Sequence, residues 1–262
     1  MKKIIAFILS IFCFSFLSGC GTSPTLDKLK FEISPDETYY IVSAVDTEIS
    51  GEVVIPSTYK GLPVKSIANL AFSECSSLTS INIPDSVTYI GMGAFNMCDS
   101  LQGNKYDNAY YLGNKKNPYL ALFSVAGTET TSCNINAKCK IICPAAFALS
   151  PIVSITIPDS VTSIGKNAFY LCYSLESVKI GNGVISIVDE VFNDCSNLES
   201  IIIGNGVTSI SQYAFRGCKS LTSIGFEGTK EQWNDIIKEN SWNKDTHTRV
   251  INCSDGDVSI YE

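Results

Sequence analysis

Apolar and small polar residues alternate in short runs that return every 22 or 23 residues along most of the chain. An Ala-Phe pair recurs at Phe72, Phe95, Phe147, Phe169 and Phe215, with Val191-Phe192 as a variant. The intervals between these phenylalanines are 23, 52, 22, 23 and 23 residues, the long one being a repeat plus 29 inserted residues. Three positions after most of them stands a cysteine (Cys75, Cys98, Cys172, Cys195, Cys218), and three further on a leucine (Leu78, Leu175, Leu198, Leu221). Then come Ile81-Asn82-Ile83, Ile155-Thr156-Ile157, Val178-Lys179-Ile180 and Ile201-Ile202-Ile203. Apolar residues at every second position predict one half-buried strand per copy. Pro84, Pro158, Gly181 and Gly204 punctuate the strand ends, and the Val, Ile and Phe that follow carry the return path over the core. A single copy cannot bury its own apolar edge, whereas stacked copies share a continuous core. The period therefore predicts a leucine-rich-repeat solenoid of about seven turns, with one short parallel strand in each.

The ends and the long interval break the period. Residues 31–60 read as an N-terminal cap built from a hairpin, Phe31–Ile33 with Tyr39–Val45, and Tyr59–Pro63 is a five-residue insertion in the first turn. Residues 61–228 form the solenoid and 229–262 a C-terminal cap of helix and strand. There Thr229-x-x-Gln232 is a capping-box pattern, Trp233, Ile236 and Ile237 fall on one helical face, and Val250–Cys253 follows. The insertion, 102–132, carries Tyr106, Tyr110, Tyr111, Tyr119 and Phe123. Its segments Ala109–Leu112 and Tyr119–Val125 read as a protruding hairpin, either a structural elaboration or a binding element held on a rigid scaffold.

The first residues form an export signal. Lys2 and Lys3 precede an apolar run from Ile4 to Leu17 that is too short for a comfortable membrane span. It ends in Leu17-Ser18-Gly19-Cys20, which resembles the lipobox of bacterial lipoproteins. The resemblance implies cleavage after residue 19, a diacylated Cys20 as the new N-terminus, and residues 20–30 as a lipidated tether. An ordinary secretory signal that happens to contain a cysteine is the other reading.

The repeats themselves support a second resemblance. Ile-Pro-Asp-Ser-Val-Thr-x-Ile-Gly-x-x-Ala-Phe stands almost whole at Ile83–Phe95 and Ile157–Phe169. With the lead-in Ile55–Val64 and the closing Phe226–Trp233, it resembles the BspA-like leucine-rich-repeat family of bacterial and protist surface proteins. The family implies adhesion or protein contact at a cell surface, with no enzymatic activity in the repeats.

Composition narrows the chemistry further. The chain has 262 residues, 45% hydrophobic, with 19 basic and 26 acidic side chains. Loss of Lys2 and Lys3 leaves 17 basic residues, so nothing in the charge balance favours nucleic acid or an anionic lipid surface. Of eleven cysteines, Cys13 leaves with the signal and Cys20 takes lipid, leaving an odd number, nine. Five occupy one repeat position that needs a small buried hydrophobe, which a free thiol fills. Disulfide bridging between neighbouring turns stays open on spacing, although parallel equivalent side chains suit disulfide dihedrals poorly. Cys133, Cys139 and Cys143 lack zinc-type spacing, and no metal or cofactor is expected. A single histidine, His247, and the absence of nucleophile-elbow and P-loop motifs argue against an enzyme.

What remains is a surface. Residues between the buried apolar ones project from the strand-lined face. Read across turns, they are Ser80, Ser154, Ser177, Ser200 and Ser223, with Asn82, Thr156, Lys179 and Ile202 beside them. They are either hydroxyls tolerated on a crowded sheet or a hydrogen-bonding strip for an extended protein or glycan. In the second case Ile202, Tyr110, Tyr111 and Tyr119 supply apolar contacts. The expectation is a monomeric, exported, lipid-anchored protein at the cell surface that binds an extracellular or envelope protein or glycan, with adhesion as its role. The alternative is an internal envelope scaffold for the cell's own proteins or polysaccharide.

Overall fold

A computed structural model describes residues 26–127 and 129–260, so the signal segment and Cys20 lie outside the described residues. The architecture is a β-solenoid of about nine turns. Its strands stack in two parallel ladders, and at about 4.8 Å per rung the stack extends roughly 40 Å. The first ladder carries the strands anticipated from the period, Leu78–Asn82, Ser154–Ile157, Ser177–Ile180 and Ser200–Ile203, with Ser223–Phe226 after them, and adds Gly51–Val54 from the N-terminal cap segment and Val250–Cys253 from the C-terminal cap. Burial alternates along them as the period-two pattern requires, with Ser154 and Thr156 exposed and Ile155 and Ile157 buried. The second ladder was not anticipated. Two-residue strands at Tyr89–Ile90, Ile141–Ile142, Ser163–Ile164, Ser186–Ile187, Ser209–Ile210 and Ile237–Lys238 follow the strand-end turn, so each regular turn holds two strands where the pattern predicted one. In most of them one residue is buried, in Ile141–Ile142 both and in Ile237–Lys238 neither, and two residues are too short a run to show a period of their own.

The third side of each turn is the Ala-Phe corner. There the phenylalanine N–H donates to the neighbouring turn, as Phe72 does to Ala94 (2.8 Å) and Phe192 to Ala214 (2.9 Å). The rings stack inside: Phe147, Phe169, Phe192 and Phe215 follow one another at 4.8, 5.1 and 5.5 Å between centroids, nearly parallel. The cysteine three residues on turns its thiol back to the preceding corner. Cys98, Cys172, Cys195 and Cys218 donate to the carbonyls of Phe72, Phe147, Phe169 and Phe192 at 2.9–3.1 Å. The nine described cysteines are free thiols, and five of them form the anticipated corner set.

The expected seven turns become about nine because the segments outside the regular period also supply rungs. The N-terminal hairpin is present, Leu29–Ile33 against Tyr40–Ala44, but its second strand pairs in parallel with Leu62–Ile67 and so begins the second ladder. The C-terminal cap adds Ile237–Lys238 and Val250–Cys253, closed by the antiparallel strand Gly256–Ser259. The helix Lys230–Asp235 has the capping box between Thr229 and Gln232. Trp233 and Ile236 are buried, but the helix ends before Ile237, which lies in a strand and is 71% exposed. Among the described residues no helix is long and apolar enough to cross a membrane.

The inserted hairpin does not protrude. Ala109–Leu112 and Ala121–Val125 pair antiparallel as anticipated, yet Ala121 and Leu122 also pair in parallel with Ile141 and Ile142. Gly113 bridges Asn82 of the first ladder. The hairpin is thus a flattened turn of the solenoid, and Ala109, Leu112, Leu120, Ala121 and Leu122 lie in the core. It folds back before reaching a corner, so the phenylalanine stack is broken between Phe95 and Phe147. Ser150, which takes the cysteine position in the next turn, has no corner carbonyl to meet, and its buried hydroxyl has no partner.

Candidate functional site

The strand-lined face of the C-terminal turns is built by register. Ser154 pairs with Ser177, Ser177 with Ser200 and Ser200 with Ser223, so the four hydroxyls form one row. Thr156, Lys179, Ile202 and Gly225 form the parallel row beside it. The inward partners of these rows, Ile155, Val178, Ile201 and Ile224, are at most 4% exposed and hold the strip rigid. Among the described residues no hydrogen bond engages the side chains of Ser154, Ser177, Ser200 or Ser223. The second ladder behaves differently, since Ser209 donates to Ser186 there at 2.8 Å. The first-ladder hydroxyls are therefore free for a ligand. Ile202 is 42% exposed because Gly225 beside it has no side chain to cover it. Lys179 crosses the strip to Glu227 at 2.9 Å, and that carboxylate raises the lysine pKa.

The other residues named from the sequence divide. Ser80 and Asn82 point the same way from a separate sheet, paired directly with Gly51–Val54 and parted from Ser154 by the flattened turn. Tyr111 is fully buried, contrary to the expectation of an apolar surface contact. Its ring faces the core and its hydroxyl accepts the Asn136 N–H at 3.1 Å, while burial raises its pKa. Tyr110 is half-buried on the opposite side of the hairpin, lining a cleft with Leu101, Gly103 and Phe123. Tyr119 stays at the surface, half-buried, and packs edge-on to Tyr106 at 5.7 Å and Tyr111 at 5.6 Å. Tyr106, one of the insertion aromatics though not among the candidate contacts Tyr110, Tyr111 and Tyr119, is the most exposed of this group at 40%. Only the register of Asn104–Tyr106 against Ala109–Leu112 reveals its side, and no period encodes that register. His247 is exposed, with Nδ1 2.6 Å from the Lys219 carbonyl oxygen. Asp189 and Glu190 share Lys166 at 3.9 and 3.4 Å. Among the described residues no group of three or more His, Cys, Asp and Glu side chains could hold a metal ion.

No curated protein matches the chain. Among solved structures, a leucine-rich-repeat protein of T. pallidum is 26% identical, with a TM-score of 0.40, over 79% of this chain and 86% of that one. A leucine-rich cell surface protein from Faecalibacterium prausnitzii is 19% identical, with a TM-score of 0.40, over 85% and 99%. A leucine-rich-repeat protein from Bacteroides ovatus is 21% identical, with a TM-score of 0.34, over 83% and 68%. The BspA type leucine-rich repeat region matches residues 51–114 and 122–244 in six copies, more than half of the chain, and the chain belongs to that family.

Proposed function

We propose that this protein is a lipid-anchored recognition protein of the bacterial cell surface, holding partner proteins or glycans non-covalently on its strand-lined face and serving in adhesion. The observation that carries the reading is the register-aligned row of unengaged hydroxyls from Ser154 to Ser223 on a rigid sheet, with Ile202 uncovered beside it. Rigid alignment of donors lowers the ordering cost of binding, and Ile202 adds one apolar contact to the polar strip. Cys20 supplies the anchor, since the acyl chains of a lipobox cysteine are enough for stable membrane attachment.

Two measurements test the reading. Protease applied to intact cells is expected to remove the solenoid, and Cys20→Ala to release it from the membrane fraction. Protection until the envelope is opened would retire adhesion in favour of an internal scaffold. The double variant Ser177→Arg with Ser200→Arg is expected to keep its melting temperature but lose binding to the neighbouring cells that the unaltered protein coats. Undiminished coating would remove the strip from the site.

A further inference from the structure

We infer that the flattened turn carries a saccharide-binding ridge, and that its ligand is a short uncharged run of pyranose rings lying across Tyr106 and Tyr119. The inference rests on the recognition role proposed above and specifies its ligand. Tyr106 and Tyr119 meet edge-on, and the buried Tyr111 braces both rings from behind at 6.4 and 5.6 Å. Each ring is thereby fixed, and its outward part stays in contact with solvent. Asn104, two residues before Tyr106, lines a cavity of about 220 Å³ with Ser80 and Asn82. Asp107, directly after it, accepts the backbone N–H of Asn134. Asn134 in turn lines a cavity of about 320 Å³ with Ser132, Ser154 and Thr156. The ridge therefore stands between two hollows of mixed lining, where Ser80, Asn82 and Asn104 on one side and Ser132, Asn134, Ser154 and Thr156 on the other supply the polar groups.

The chemistry of the lining selects the ligand. A pyranose has an apolar C–H face and a rim of hydroxyls, which suits a tyrosine ring flanked by amides and hydroxyls. The larger hollow is lined without a single charged residue, and the smaller holds one acid, Glu52, and one base, Lys115. A charged polysaccharide would meet no compensating charge in the larger hollow, and in the smaller one Glu52 offsets Lys115. A peptide is disfavoured because the sheet's backbone groups are already spent in the ladder, and neither hollow is an apolar pocket for an anchoring side chain.

The test uses the folded protein, residues 21–262, with maltotriose, cellotriose and triacetylchitotriose as probes, and an array of unstructured peptides as control. At least one trisaccharide is expected to bind. Tyr106→Ala, at an exposed position, should weaken it about tenfold, the loss of one stacking contact. Tyr106→Trp should retain binding, which a loss caused by misfolding would not allow. Binding of none of the three sugars, or binding indifferent to Tyr106→Ala, overturns the inference. A peptide ligand lost on Tyr106→Ala also overturns it, while leaving the recognition role standing. The role itself fails separately, through the cell-coating experiment with Ser177→Arg and Ser200→Arg.

Discussion

Cys195 lies fully buried between two turns, its Sγ 3.0 Å from the Phe169 carbonyl oxygen. Burial raises its pKa well above that of a free thiol, and the same cause lifts Cys98 and Cys139 from 9.0 to about 11 and Cys133 to about 12. The neutral thiol is what the sequence needs here: a small hydrophobe with one weak donor. The consequence for stability has a definite sign. Below pH 9 folded and unfolded chains both keep these protons. Above it the unfolded chain loses them first, so the folded state binds more protons and stability falls as pH rises. The urea midpoint is expected to drop between pH 9 and about pH 11, the range over which Cys98 and Cys139 lag behind their unfolded values. Cys139→Ala, which deletes one such group, should make that drop shallower. A level midpoint would mean that the thiols ionise without leaving the core. The residue role was legible because one cysteine position recurs at 23-residue spacing; the burial of Tyr111 was not, since the inserted hairpin occurs once and no repeat tells Tyr111 from its neighbour Tyr110.

At the scale of elements, the first-ladder strands could be read directly, because period-two burial is written into each copy. The inserted hairpin was read correctly as a hairpin and wrongly as a protrusion. Its strands have the right alternation, but their destination depends on Gly113 reaching Asn82 and on Leu122 reaching Ile142, contacts that no local pattern announces. The corner ring stack shows how unequal equivalent positions become once the turn is flattened. Phe169 lies between Phe147 and Phe192 with no exposure, whereas Phe95 is half-buried and stacks on Phe72 alone, at 5.8 Å. Phe169→Ala is expected to cost about 3–5 kcal/mol, the range for a large buried ring that leaves a cavity. Phe95→Ala should cost about 1–2 kcal/mol, because its site already opens to a cleft. Denaturant melts of the two variants decide it, and equal losses would mean that the break in the stack has no energetic consequence.

Across the whole molecule, the flattened turn divides a repeat protein whose stability comes from contacts between neighbours. Toward the N-terminal turns the hairpin is held at the first ladder, where Ile83 donates to the Gly113 carbonyl at 2.9 Å and the Asn114 amide reaches Ile83 and Asp85. Toward the C-terminal turns it is held through the second ladder, at Ala121 and Leu122. No ring stack crosses from Phe95 to Phe147, and the corner thiols skip from Cys98 to Cys172. Gly113 is the weak point of this joint, since a Cβ there would overlap the Asn117 carbonyl. Gly113→Val should therefore force the 113–118 loop away from Ile83. In native-state hydrogen exchange the amides of residues 29–101 are expected to lose protection, while those of 141–253 keep theirs. Because the joint also carries Tyr106 and Tyr119, the variant should lose the saccharide contact while the serine row from Ser154 to Ser223 stays ordered. Uniform loss of protection along the chain would instead mean that the nine turns unfold as a single cooperative unit, with the flattened turn transmitting stability as well as any regular one.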